Sequence, residues 1–245
     1  EGTLGIITAA ALKLFSRPRQ ITTAFLKVAS PHAALDFLSM LRANLGEVIS
    51  AYELIHSQGF SFLRETLPDV RLPFETPSEW MVLLELAQSE EANSEEALEG
   101  LFAEGVGKGL LSDGLIAQSE TQRDAFWAVR EYIPEANRLI GSVSSHDISL
   151  PLSEVARFIK RANKVIAKRG EFRINCFGHL GDGNFHVLLP FDPENKETYK
   201  KIREFNDLLI NKALELKGTI TGEHGVGLHK KEYLLKEHAD NIPLM

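Results

Sequence analysis

The chain has a single cysteine, Cys176, in 245 residues, so an intramolecular disulfide framework is excluded and a reducing compartment is allowed. Cys176 lies between Ile174 and Phe177 and reads as a small buried residue. No apolar run approaches the ~18 residues of a membrane-crossing helix. An excess of basic charge is also missing: 27 Lys and Arg stand against 34 Asp and Glu, a net charge of -7, which argues against a nucleic-acid binder. A leader is not visible either. The chain opens without Met on Glu1-Gly2-Thr3-Leu4-Gly5-Ile6-Ile7-Thr8 and stops on Asn241-Ile242-Pro243-Leu244-Met245. These ends read as those of an excised domain, with any targeting segment outside it.

What is present suits a globular core: 44% hydrophobic and 25% charged residues. Residues 20–29 are rich in β-formers and read as a strand. Leu35, Leu38, Leu41 and Leu45 follow at helical spacing until Gly46. Residues 47–56 read as a second strand and 57–78, with three prolines, as irregular. Trp80 to Leu86 reads as a buried strand, and Ser94 as the cap of a helix carrying Leu98, Leu101 and Phe102. This strand–helix–strand pattern, met twice, suggests a pseudo-repeat that the residues themselves do not show. Gly105-Val106-Gly107-Lys108-Gly109 lacks the Ser or Thr of a phosphate-binding loop and reads as a turn.

A helix is expected from Glu120, with Phe126, Trp127, Val129 and Ile133 apolar and Arg130 among them. His146 to Pro151 reads as a short strand. Ser153 then caps an amphipathic helix that Gly170 ends. Residues 172–191 read as a β-hairpin, Asp192-Pro193 as the start of a helix ended by Gly218, and Thr219–Thr221 as a short strand. Strands and helices mix without a regular βαβ rhythm. The expected class is α+β, an antiparallel sheet covered by helices on one face.

Two glycine-rich runs carry the chemistry: Gly178-His-Leu-Gly-Asp-Gly-Asn-Phe-His186 and Gly222-Glu-His-Gly-Val-Gly227. If the first is a hairpin, His179 and His186 come from facing strands and can share one metal, with Glu223 as third ligand. Two imidazoles and a carboxylate leave coordination positions open to Zn, Mn or Fe. The competing reading is a tight turn at Asp182-Gly183 that the histidines merely flank. His224, beside Glu223, is better suited to proton transfer than to the same ion, since imidazoles titrate near neutrality. His229, next to Lys230 and Lys231, reads as solvated. Arg130 is either a clamp for a substrate carboxylate or a surface Arg paired with Glu131 or Glu135, and His146 with Asp147 adds a polar wall.

Together HLGDGNFH, GEHGVG, WAVRE and HDISLP resemble the C-terminal substrate domain of flavin-linked D-2-hydroxyacid dehydrogenases of the vanillyl-alcohol-oxidase superfamily. D-lactate, glycolate and D-2-hydroxyglutarate dehydrogenases are the relevant branches. The resemblance implies a ferredoxin-like arrangement of the α+β fold. It implies that residues 1–18 are the tail end of a missing FAD-binding domain, with Gly2, Thr3, Gly5 and Ile6 at the cofactor. Residues 19–245 are then the substrate domain, truncated at its C-terminus. His179, His186 and Glu223 become ligands of a divalent metal, zinc or manganese. His224 becomes the base that takes the hydroxyl proton while hydride passes to FAD, and Arg130 and His146 become substrate contacts.

The resemblance further implies oxidation of a small D-2-hydroxyacid, a fragment inactive alone, an unidentified downstream electron acceptor, room for a homodimer, and a cytoplasmic or mitochondrial setting. Ser145 and Leu188 stand where D-2-hydroxyglutarate enzymes often carry Lys and Asn, so a monocarboxylate substrate is expected. Two other classes compete: a metal-dependent hydrolase, which would need no flavin, and a non-catalytic interaction module, which would survive His224→Ala.

Overall fold

The structure is a computed structural model, which describes residues 5–88, 94–141, 143–168, 172–190, 194–228 and 230–238. Residues 5–18 form neither helix nor strand and are mostly exposed, Ile6 to 92%. The expectations placed on Gly2, Thr3, Gly170, Asp192, Pro193 and His229 fall outside the described residues, as does the side chain of Ser94.

Seven strands form one sheet in the order β4-β1-β3-β2-β6-β7-β5, and every neighbouring pair is antiparallel. β1 (Gln20–Val28), α1 (Pro31–Leu45), β2 (Ile49–His56), β3 (Trp80–Gln88), α3 (Ser94–Gly107) and β4 (Leu111–Ile116) make a β-α-β-β-α-β unit with strand order 4-1-3-2, the ferredoxin-like arrangement. α2 (Ser57–Thr66) is inserted between β2 and β3. The second half starts the same unit again: β5 (Val143–Ser149), α5 (Leu152–Ala167), β6 (Asn175–His179), β7 (Asn184–Pro190) and α6 (Lys196–Glu215). Its fourth strand is reduced to one bridge, Ser149 to Thr219. The expected strand–helix–strand pair is β1-α1-β2 and β3-α3-β4 inside the first half, and the repetition of the whole unit goes beyond it. α4 (Glu120–Ile140) links the halves, and α7 (Lys231–Glu237) follows the second glycine loop.

Helices cover both faces of the sheet, not one. Successive side chains of a strand point to opposite faces, and both sets are apolar here. Leu26, Leu54, Val82, Leu84 and Val187 join one core beneath α1, α5 and α6. Phe25, Ile55, Met81, Leu83 and Phe177 join a second beneath α2 and α4. α1 shows the local logic: Ser30 Oγ accepts from the Ala33 N–H, Pro31 opens the helix, and Phe37, Leu38 and Leu41 are buried. Each such burial stabilises the fold by about 1.5–3 kcal/mol.

Several local expectations are corrected. Residues 57–66 are helical because His56 Nδ1 caps the Gln58 N–H and Phe60, Phe62 and Leu63 are buried; the three prolines, at 68, 73 and 77, all follow the helix. Gly105–Gly107 close α3, and only Lys108-Gly109 turns, Gly109 at φ +70°. α5 begins at Leu152 with no side-chain cap, so Ser153 lies inside the helix. Thr219–Thr221 is no strand. The Thr219 hydroxyl donates to the Thr221 carbonyl, and the Thr221 hydroxyl reaches Asp147 and Gly225, which turns the chain out of the sheet at once.

Candidate active site

The hairpin forms as expected, but its registration differs. Phe177 sits opposite His186, so His179 is a diagonal rather than a direct neighbour. The strands approach closely where Gly178 (φ +148°) lies, since a Cβ there would come 2.6 Å from the Phe185 Cα. The connecting turn is a 3-10 turn at Leu180–Asp182, closed by Gly183 in the left-handed region and held by Arg42 Nη2 donating 2.9 Å to the Gly181 carbonyl.

Asp147 fastens the second glycine loop to the sheet. Its Oδ2 accepts from the backbone N–H groups of Gly222, Glu223 and His224 at 2.9, 2.9 and 2.8 Å and from Thr221 Oγ1 at 3.0 Å. Asn184 Nδ2 donates to Oδ1 at 2.8 Å. Consecutive amides converging on one anion form a nest, filled here by the protein's own carboxylate. Burial raises the Asp147 pKa, but this donor set, led by the His224 N–H, outweighs it and holds the group far below the usual carboxylate range.

The loop so placed carries Glu223 into the hairpin. His179, His186 and Glu223 each present one ligand atom, all within 4.8 Å of one another. His186 Nε2 lies 3.2 Å and His179 Nε2 3.7 Å from the two Glu223 oxygens. Burial lowers the His186 pKa and keeps its ring neutral, the form that binds metals. The His224 ring stacks on His186 with centroids 5.0 Å apart and a 16° tilt, and its side chain stays open to the pocket.

Arg130 reaches the same pocket from α4, but neither Glu131 nor Glu135 is its partner. Its Nε donates 2.8 Å to Oε2 of Glu53 on β2, and its guanidinium lies over the Phe177 ring at 4.8 Å. Glu135 pairs instead with Arg138. Among the described residues no other hydrogen bond of Arg130 is found, which leaves its Nη groups unengaged, and the residue lines the cavity. Glu53 is 4% exposed, and its other oxygen lies 2.6 Å from His179 Nδ1. Burial raises the Glu53 pKa, yet the His179 and Arg130 contacts bring it below the usual value; the same bond raises that of His179. Nothing local in the sequence marks Glu53, because its partners are 77 and 126 positions away. Its flanking run, Tyr52 with Leu54 and Ile55, shows only that a charge sits in an apolar stretch, not what it meets.

The cavity enclosing these groups has a volume of about 680 Å³, and Trp127, Pro134, Phe177 and Leu188 give it apolar walls. Ser145 lines it too. His146 does not. It pairs with Val187, whose side chain joins the core on the other face, and its Nε2 contacts Ser144 Oγ at 3.2 Å. Strand alternation sends Asp147, not His146, to the site face.

The family model for the C-terminal domain of FAD-linked oxidases matches residues 17–245. This chain belongs to that family. As an FAD-linked oxidase C-terminal domain it is 30% identical to the mitochondrial D-2-hydroxyglutarate dehydrogenase of Arabidopsis thaliana, over 100% of this chain and 43% of that protein. The D-2-hydroxyglutarate dehydrogenase of Stutzerimonas stutzeri is 31% identical over 96% of this chain and 50% of its own length. A putative mitochondrial D-lactate dehydrogenase of Schizosaccharomyces pombe is 29% identical over 96% and 46%. The chain thus spans half or less of these relatives. The same fold occurs in 4-ethylphenol oxidase from Gulosibacter chungangensis, with a TM-score of 0.61 at 10% identity over 95% of this chain and 51% of that one. It occurs also in p-cresol methylhydroxylase, with a TM-score of 0.59 at 11% identity over 93% and 51%. The family-level expectation from the glycine-rich motifs is thereby met, as is the mixed helix and antiparallel-sheet class. No helix among the described residues is long and apolar enough to cross a membrane.

Proposed function

We propose that this domain supplies the substrate side of a flavin-dependent dehydrogenase that oxidises a D-2-hydroxyacid to the 2-oxoacid. The observation that carries this reading is the convergence, in one cavity, of a three-residue ligand set, a guanidinium with an unengaged edge and an open imidazole. Arg130 receives the substrate carboxylate on its Nη edge, in the bidentate geometry that guanidinium favours. That places the 2-hydroxyl toward His179, His186 and Glu223. His224, held by its backbone N–H on Asp147 and by stacking on His186, takes the hydroxyl proton. Phe177, Trp127 and Leu188 exclude water around the reacting carbon.

The donor set, two imidazoles and a carboxylate, suits zinc or manganese. Such an ion, held by these three residues, would supply Lewis-acid polarisation of the hydroxyl. FAD, which the family implies, would supply the two-electron acceptor. We propose that the flavin is held mainly by a region outside this domain, with residues 1–18 as the junction, so that the domain alone binds substrate without oxidising it. Within this reading the Gly5–Ile6 segment lies near the cofactor, while His146 serves the core behind the sheet.

Walls of Trp127, Pro134, Phe177 and Leu188 favour an apolar 2-substituent over a second carboxylate. Arg138, a further cation at the cavity, is already paired with Glu135 at 2.6 Å. The test compares kcat/KM for D-lactate, D-2-hydroxy-4-methylpentanoate and D-2-hydroxyglutarate in the flavin-loaded protein. The monocarboxylates are expected to lead by about tenfold or more, the scale of one unpaired buried charge or lost methylene contact. Equal turnover of all three would remove the substrate assignment. Unchanged turnover in His224→Ala would remove the base.

A further inference from the structure

We propose that Glu53 is a positioning residue with two tasks: it fixes the tautomer of His179 and the plane of Arg130 at the same time. This rests on the reading of Arg130 and His179 given above. An ionised carboxylate only accepts hydrogen bonds. Oε2 accepts from Arg130 Nε at 2.8 Å, and Oε1 lies 2.6 Å from His179 Nδ1, so Nδ1 must carry the hydrogen. The lone pair of the neutral ring is then on Nε2, the nitrogen that faces Glu223. Ligating histidines owe their orientation and basicity to such a partner on the far nitrogen.

The second task follows from the shape of guanidinium. Engaging Nε, and stacking the plane 4.8 Å above Phe177, leaves the Nη edge as the free hydrogen-bonding side. A residue bound through Nη instead would have spent the edge that a carboxylate needs. Glu53 is not a ligand itself, since both oxygens are engaged and it stands outside the three-residue set. It lies on β2 in the first half of the fold, whereas His179 lies on β6 in the second, directly opposite it across the sheet. One buried carboxylate therefore sets both the ion-facing nitrogen and the anion-facing edge.

The test uses the purified protein, wild type and Glu53→Gln, with Glu53→Asp as a second variant that keeps the charge but shortens the reach. Three quantities are read: the His179 ring tautomer by nitrogen-15 NMR at alkaline pH, Zn²⁺ affinity by chelator competition, and propionate affinity. Propionate has a carboxylate and no 2-hydroxyl, so it reports on Arg130 alone. In the wild type the hydrogen is expected on Nδ1. In Glu53→Gln the fixed tautomer is lost, Zn²⁺ binding weakens about 10–100-fold, and propionate binding weakens as well, while circular dichroism stays the same. Glu53→Asp keeps one of the two contacts and loses the readout belonging to the other. A wild-type ring protonated on Nε2 overturns the proposal. So does a folded Glu53→Gln protein with wild-type Zn²⁺ and propionate affinities. Should the wild type bind no Zn²⁺, the metal part of the proposed function fails, and Glu53 is judged on the tautomer and on propionate.

Discussion

Asp147 is the residue on which the second glycine loop depends. Four donors meet its Oδ2, three of them consecutive backbone amides. Asp147→Asn keeps the shape but halves the accepting capacity and removes the charge. A loss of about 2–4 kcal/mol is expected, concentrated in the loop. Limited proteolysis should then cut near residues 222–228 while the wild type resists, and Zn²⁺ binding should fall with it. His146, its neighbour, behaves differently. Burial, with the Lys230 charge adding to it, lowers its pKa to about 4. The unfolded chain takes up this proton near 6.5 and the folded chain does not. The stability contributed by neutral His146 is thus full above about pH 6.5, declines as pH falls, and levels off near 4, by ~2–4 kcal/mol. Asp147 acts below that window: its unfolded carboxylate takes up a proton near 3.8 while the folded one stays ionised further down, so its contribution is lost as pH falls below about 4. Urea unfolding at pH 7.5 and 4.5 should show the decline, and His146→Phe should show less of it. Sequence alone paired His146 with the site because it stood in the motif; two-residue alternation was the stronger rule.

At the level of elements, the glycine runs and α4 were the most legible parts. HLGDGNFH is a hairpin because Gly178 and Gly183 occupy backbone positions that side chains resist. α4 follows from the spacing of Phe126, Val129 and Ile133, and it carries Arg130 to the cavity. What escaped was whatever depended on distant partners or on short segments. β4 contains Ser112, Asp113 and Gly114, which hide its pairing with β1. α2 was hidden by prolines that lie beyond its end. Glu53 was hidden because β2 gives no hint of what lies across the sheet. Gly222 shows how tightly the loop element is seated: a Cβ there would overlap Asn184 Nδ2 and crowd Ser149 Oγ. Gly222→Ala is expected to cost about 1–3 kcal/mol by overpacking and to weaken Zn²⁺ binding at least tenfold, read by calorimetry and chelator competition. An alanine protein with unaltered Zn²⁺ affinity would show that the loop seats itself elsewhere.

Across the whole molecule, the sheet of one ferredoxin-like half joins that of the other through one short strand pairing, of Glu53, Leu54 and Ile55 with His179, Gly178 and Phe177, while both apolar cores run across it. The proposed ligand set and its supporting carboxylate straddle this junction. An ion held by His179, His186 and Glu223, all in the second half, would stabilise the fold that brings the hairpin and the glycine loop together. At a hundredfold excess over Kd this adds about 2.7 kcal/mol, and for a domain of this size that corresponds to a Tm shift of ~5–10 °C. Scanning calorimetry with Zn²⁺ and with a chelator should show the difference as one cooperative transition that moves. A chelator-insensitive Tm would separate the junction from the ion.

The order of the site residues along the chain sets a schedule for biosynthesis. Glu53, Arg130, Asp147, His179 and His186 are all made before the loop bearing Glu223 and His224, and that loop has no seat until it can close on Asp147. Before Glu223 is made, the chain has only the two imidazoles of the proposed ligand set to offer an ion. Three-residue binding of the proposed ion would wait until synthesis has passed Glu223 and its loop has closed on Asp147.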